Sequence, residues 1–360
     1  MSESATASAP AKTQPKAKKN RLSSGFFRFV LTRFLLIIPT VFILVTIVFF
    51  VMRATGDPIS AAMGGRLTPE ELQRRIHAAG YDRPLVVQYL DYLGGLLRGD
   101  LGTTLNQPVT TILTRYGAAT FELAFLSLIV ALIVGIGLGR LAARRRDHAA
   151  DAGIRVFAIL CYATPVFFLG LMLKLVFAVW LNVLPPSGRS SFASDMQFQR
   201  LVSPTGFYII DAFQLGDMSV LVDVLRHAVL PALALGLLTA GVFIRLVRTN
   251  VISTYTSGYV EAARSRGVSE GRLLSKHAWR PAMIPIITVM GMQIALMLAG
   301  AVLTETTFEW KGLGFMLSQY LKQRDFVAVQ GIVILIAIIV AVVNFIVDVI
   351  SALIDPRVRY

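Results

Sequence analysis

Residues 34–52 read FLLIIPTVFILVTIVFFVM, from Phe34 to Met52, without a single charged side chain. About 20 apolar residues, at 1.5 Å each, cross the roughly 30 Å hydrocarbon core of a bilayer. The run is too long for the core of a cleaved leader, and no small-residue cleavage pattern follows it. It is therefore a membrane span. Lys16, Lys18, Lys19, Arg21, Arg28 and Arg33 precede it, and that basic cluster holds its start on the cytoplasmic side.

Five more runs satisfy the same test: Leu123–Ala143, Val156–Trp180 (interrupted by Lys174), Ala228–Ile244, Ala282–Thr304 and Phe326–Ile354. The fourth is the shortest. The expected fold is an all-α integral membrane protein with six transmembrane helices. Composition agrees: the 360 residues are 55% hydrophobic and 16% charged, with a mean hydropathy of +0.66, whereas soluble domains carry about 25% charge. The net charge of +14 does not point to nucleic acid, because the basic residues lie between apolar runs rather than on one soluble face. An even number of spans puts both termini on one side. The short loop Arg140–Arg155, with Arg144, Arg145 and Arg146, makes that side the cytoplasm.

Residues 1–24 lack apolar periodicity and are expected as a disordered cytoplasmic tail, leaving 25–360 as one transmembrane domain. The extracytoplasmic segment 53–115 carries a capping box at Thr68-Pro69-Glu70-Glu71, opening a helix that ends at Gly80. A second amphipathic helix follows Pro84, with Leu85, Tyr89, Leu93 and Leu96 or Leu97 on one side. The other extracytoplasmic segment, 182–226, reads as loop with at most short helices.

Motifs of reaction chemistry are missing from the sequence. Cys161 stands alone, which rules out an internal disulfide and a thiolate cluster. The chain has no Walker loop, no Gly-x-Ser-x-Gly and no His-Glu-x-x-His, and its 4 histidines are far apart. Gly135, Gly137 and Gly139 interrupt a span, where small residues let helices approach. Pro165 and Pro231 are expected to kink their helices. Polar groups within spans are Lys174, Gln293, Asn344 and Asp348. Gln293 and Asn344 are the candidates for a translocation path, and interhelical bonding is the competing role. A transporter working without ATP would place ion-binding carboxylates in mid-span. Asp348 is the only acidic residue read well inside an apolar run, and no inverted repeat is evident.

The inner loop, residues 248–283, contains Tyr259-Val260-Glu261-Ala262-Ala263-Arg264-Ser265-Arg266-Gly267 and then Val268-Ser269-Glu270. Glu261 to Arg266 makes one or two helical turns, Gly267 suits the left-handed position that ends them, and Ser269 caps a new helix. Ala262 and Ala263 let another protein surface come close, while Glu261, Arg264 and Arg266 supply charge pairs at the rim.

Glu261-Ala262-Ala263 followed by Gly267 resembles the EAA loop of ABC importer permeases. With His277 and Pro285 added, the segment is similar to the dipeptide and oligopeptide branch. The resemblance covers roughly residues 25–360. It takes in Gly99-Asp100-Leu101-Gly102, Pro185-Pro186-Ser187-Gly188, Gly312-Leu313-Gly314 and the ending Asp355-Pro356-Arg357-Val358-Arg359-Tyr360, and it points to the first of two permease subunits. The branch often has Asn-Ala where this chain has Pro281-Ala282. The resemblance implies a type I (MetI-like) architecture in a bacterial inner membrane. It implies a second homologous permease, two ATP-binding subunits and an extracytoplasmic solute-binding protein as partners. ATP and magnesium would sit in those partner subunits, leaving this chain without a cofactor. Residues Tyr259–Ser275 would form the coupling helix, with Tyr259, Glu261, Ala262, Ala263, Arg264, Gly267 and Ser269 at the ATPase contact. Family members carry peptides or solutes such as haem and nickel.

Overall fold

The computed structural model describes residues 21–63, 65, 67–104 and 107–354. Residues 1–20 of the expected tail and the ending Asp355–Tyr360 lie outside the described residues. The chain runs α1 (Arg21–Ala54), α2 (Pro58–Met63), α3 (Pro69–Ala78), α4 (Leu85–Leu97), α5 (Val109–Arg144), α6 (Ala149–Ala163) and α7 (Val166–Leu173). A π-helical turn, Lys174–Trp180, prolongs α7. Then come α8 (Phe192–Phe198), α9 (Tyr208–Leu215), α10 (Met218–Tyr255), α11 (Gly258–Ser265) and α12 (Glu270–Arg272). A second π turn, Leu273–Ala278, leads into α13 (Trp279–Phe308), α14 (Leu313–Gln323) and α15 (Phe326–Ile354).

Among the described residues, α1, α5, α10 and α15 are each long and apolar enough to cross a membrane unbroken, and two bent helix pairs bring the spans to six. One pair is α6 with the stretch Val166–Trp180, bent by 109°. Pro165 does more than kink this span. Thr164, forced out of the helical region by the proline that follows, is extended at ψ 128°. Pro231 has no such effect, and α10 continues through it.

The fourth span corrects the sequence reading. It is not the shortest: α10 has 38 residues, about 57 Å at 1.5 Å per residue. Hydropathy ended the run at Arg226 and Arg245, but a charged side chain stops a hydrophobic average without stopping a helix. Arg226 donates to the Val183 carbonyl at 2.8 Å, and Arg248 is held by Asp151. Segment 182–226 carries short helices, as read, but from Met218 onward it already belongs to α10. Its helices α8 and α9 and the first turns of α10 enclose a small core of Phe198, Ala212, Val220, Leu221 and Val224.

The glycine triplet in α5 divides by face. A Cβ at Gly135 would lie 2.5 Å from that of Phe243, and one at Gly139 would lie 2.7 Å from that of Val247. These two glycines, one turn apart, let α5 seat directly on α10. Gly137 faces open space. Elsewhere, α1 rests on α15 through the Phe34–Phe345 ring contact at 5.8 Å and the Arg33–Asp348 pair at 3.4 Å.

The capping box at Thr68 is half formed. Glu71 N–H donates to Thr68 Oγ1 at 3.4 Å, but the Glu71 carboxylate turns to Arg75 at 3.0 Å instead of reaching back. Helix α4 packs by Tyr89 and Tyr92 on Phe49 of α1, with ring centroids 5.2 and 5.4 Å apart. Of the side read from sequence, Leu93 and Leu96 are half-buried, while Leu85 and the alternative Leu97 are exposed.

Candidate functional site

Segment 248–283 folds as an elbow. Helix α11 ends in a Schellman arrangement: Val268 N–H donates to Ala263 O at 3.3 Å, Gly267 N–H donates to Arg264 O at 2.9 Å, and Gly267 has φ +79°. Ser269 occupies the cap position with its carbonyl, which accepts from Arg272 and Leu273 N–H at 2.9 Å each. Its hydroxyl makes no capping bond. Across the corner, Arg264 Nε donates to Glu270 Oε1 at 2.7 Å, and Tyr255 Oη bonds the same carboxylate. That neighbouring carboxylate pushes the Arg264 pKa up from its ordinary value.

Two buried side chains pin the elbow to the bundle. Val260 and Leu273 are each 0% exposed. Leu274, next in the chain, packs against the cluster in which Val247 and Val251 of α10 meet Ala282 and Ile286 of α13, with Trp279 alongside. Arg140 of α5 lies 5.1 Å from the Trp279 ring. The elbow is thus in close-packed contact with α10 and α13, and through Trp279 with α5. The outward face is Tyr259, 51% exposed, with Glu261 and Ala262 exposed beside it, while Ala263 and Arg264 are half-buried. Glu261 has no ion-pair partner among the described residues. Of the residues read from sequence, Tyr259, Glu261 and Ala262 stand on the surface, while Arg264, Gly267 and Ser269 shape the turn.

Next to the elbow, a cleft of about 700 Å³ opens between α6, α10 and α13. Gln293 lines it together with Thr239, Arg155, Arg245 and Arg248. Asn344 does not: it is exposed on α15 and is not part of the cleft wall. Lys174 is structural, donating to the Thr307 carbonyl at 3.0 Å. Sequence reading missed the three arginines of the cleft, which fall where hydropathy ended the spans. It also missed Asp151, fully buried and gripped by Arg248 at 2.6 and 2.8 Å.

Toward the other end of the bundle lies a more polar cavity of about 750 Å³, walled partly by Ser187, Arg189, Tyr208 and Lys311. Beside it sits a buried hub. Arg189 donates to Glu122 at 2.6 Å and stacks 3.7 Å from the Tyr208 ring centre. Burial pushes the Tyr208 hydroxyl up to about 12, so the ring under Arg189 stays neutral. Glu305, 0% exposed, accepts from Thr120 at 2.6 Å and from Phe315 N–H at 2.9 Å. The Gly312-Leu313-Gly314 motif has its reason here: a Cβ on Gly312 would strike the Glu305 carboxylate.

A membrane bundle with a pinned elbow whose outer surface stays exposed suits a subunit that meets another protein there. The family model for the binding-protein-dependent transport system inner membrane component matches residues 135–360, and the model for its N-terminal membrane component matches residues 26–114. This chain belongs to that family. The permease is similar to the di/tripeptide transport system permease protein DppB of Pseudomonas aeruginosa, 37% identical over 343 residues, covering 92% of this chain and 98% of the relative. The dipeptide transport system permease protein DppB of Escherichia coli is also 37% identical, over 338 residues, with 92% and 99% covered. Among solved structures, the permease resembles a chain of the methionine ABC transporter MetNI in inward-facing conformations. That match has a TM-score of 0.50 at 14% identity and covers 68% of this chain and 97% of the other. It shows a shared fold. The permease is thus an ABC importer membrane subunit of the DppB-like group, and subunits of this group conduct solute without catalysing a reaction.

Proposed function

We propose that this permease imports short peptides as one half of a heterodimer with a second, related permease. Two ATP-hydrolysing subunits grip the elbow at Tyr259, Glu261 and Ala262, and a solute-binding protein docks at the opposite, extracytoplasmic end. Both termini and segment 248–283 face the cytoplasm, while 53–115 and 182–226 face outward. ATP and magnesium belong to the partner subunits. Peptides are favoured as cargo because the two DppB relatives named above, alike over nearly their whole length, carry that function in their names.

The observation that carries the coupling role is the contrast within α11. Val260 is fully buried while its neighbours Tyr259 and Glu261 are exposed and make no ion pair with the rest of the described chain. A helix anchored so firmly by one residue, with a charged and aromatic face left bare, suits a groove on another protein. Closure of the ATPase pair would displace the elbow and, through the buried cluster beneath it, rock α10 and α13.

The test is copurification and coupling. Glu261→Ala should weaken retention of the ATP-binding subunits on the tagged permease, or leave ATP hydrolysis running with peptide uptake lost. Full assembly with uptake coupled as in the unaltered protein would sink the assignment of α11.

A further inference from the structure

The cleft between α6, α10 and α13 has an uneven chemistry that the coupling role does not use. One wall is apolar, formed by Leu235, Leu238, Leu296 and Met297. Its charged lining consists of Arg155, Arg245 and Arg248, with no carboxylate. The nearest acid, Asp151, is fully buried. It is already engaged by Arg248 through two bonds and lies 3.8 Å from Arg155. Asp151, and Asp147 acting on Arg248 from further off, are the two carboxylates set against three guanidinium groups. Arg245 is exposed and has no ion-pair partner among the described residues.

The geometry points to Arg245 as a receptor for the terminal carboxylate of a peptide on its way through the cleft, with the peptide's side chains against the leucine wall. This rests on the peptide reading above. A guanidinium presents paired N–H donors that match a carboxylate, and an apolar surrounding strengthens that bond. Size agrees. From Leu235 to Arg245 along α10 is about 15 Å at 1.5 Å per residue, enough for two or three extended peptide units at about 3.5 Å each. The cleft volume falls within the range usual for small-molecule sites. With no acid in the lining to pair an ammonium, the carboxyl end is the end recognised. Arg245 lies on the elbow side of the cleft, ten residues before α10 ends at Tyr255, so the carboxylate would be held close to the part that moves.

The native chain has only Cys161, which is buried, so the test can use a single introduced thiol. The complete importer, with its second permease, ATP-binding subunits and binding protein, is reconstituted with Cys161→Ala and Arg245→Cys in this chain. Glycyl-leucine uptake should fall about ten- to hundred-fold, the span of a lost charged hydrogen bond. A methanethiosulfonate bearing a trimethylammonium group should restore much of it, and the sulfonate-bearing reagent should not. The unaltered importer should take up glycyl-leucine in preference to glycyl-leucinamide, and Arg245→Cys should shrink that preference about ten-fold or more. Equal rescue by both reagents, or a preference for glycyl-leucine over glycyl-leucinamide that Arg245→Cys leaves unchanged, overturns the proposal. So does an Arg245→Cys defect that disappears in vesicles of zwitterionic phosphatidylcholine alone, which would make a net-anionic lipid headgroup the ligand. If the unaltered complex takes up no glycyl-leucine, the peptide reading itself is wrong. If it does, and Arg245→Cys behaves the same, only the arginine assignment fails.

Discussion

Arg189 sits almost wholly out of solvent at 8% exposure, between the Tyr208 and Trp310 rings and bonded to Glu122 and the Gly206 carbonyl. A buried pair of this kind adds little net stability over a well-packed apolar pair, yet breaking it on one side strands a charge. Arg189→Met alone should therefore cost about 3–5 kcal/mol. Glu122→Gln combined with Arg189→Met should recover most of that loss. Thermal unfolding of the purified permease pair in detergent would measure both. An additive double variant would show that the two residues do not work as a pair. Gly312 is a second sensitive position, because a valine there must displace the Glu305 carboxylate. Overpacking of this sort costs about 1–3 kcal/mol, and the same melting measurement would read it. Neither acid was visible as intramembrane from sequence. Glu122 and Glu305 each abut the end of an apolar run, so averaging cut the run just short of them and left Asp348 as the only acidic residue inside one.

At the scale of elements, glycine decides two junctions. Gly267 takes φ +79°, a region costing other residues about 1–2 kcal/mol, so Gly267→Val should loosen the corner between α11 and α12. Its expected signature is ATP hydrolysis in the assembled importer that no longer responds to the loaded binding protein, with the amount of permease in the membrane little changed. In the α5–α10 contact, Gly135→Leu should abolish stable expression while Gly137→Leu is tolerated, since only the first faces Phe243. Comparable membrane levels of the two variants would contradict the packing described. The triplet was readable as a packing device, but its split into one contact face and one open face needed the partner helix. The break at Pro165 was legible in position and underestimated in size, because a proline announces a lost bond but not the angle the surrounding helices select.

For the whole molecule, the proposed orientation predicts which segments meet which solution. Cysteine introduced at Ser203, exposed in the segment before α9, should react with a membrane-impermeant maleimide in intact cells. Cysteine introduced at Ser265, exposed at the end of α11, should react only after the membrane is opened. The reverse pattern would invert the topology and remove the ATP-binding subunits from the elbow. The two cavities lie toward opposite ends of the bundle, one lined by α6, α10 and α13 and the other by the start of α5 and the segment before α10.

The sequence by itself determined the class of solvent, the helical fold, the approximate places of the spans and the elbow at Gly267. Those properties follow from local chemistry: runs of apolar side chains, a glycine where φ must be positive, a proline where a helix cannot continue. Only the tertiary structure decided that α10 outruns its apolar core, that segment 182–226 closes on its own small core, that Glu122 and Glu305 are buried, and that Arg155, Arg245 and Arg248 share a cleft with Gln293. Each of these depends on a partner distant in the chain. A charged residue next to an apolar run reads as the edge of the membrane until the group that neutralises it, or the space it faces, is known.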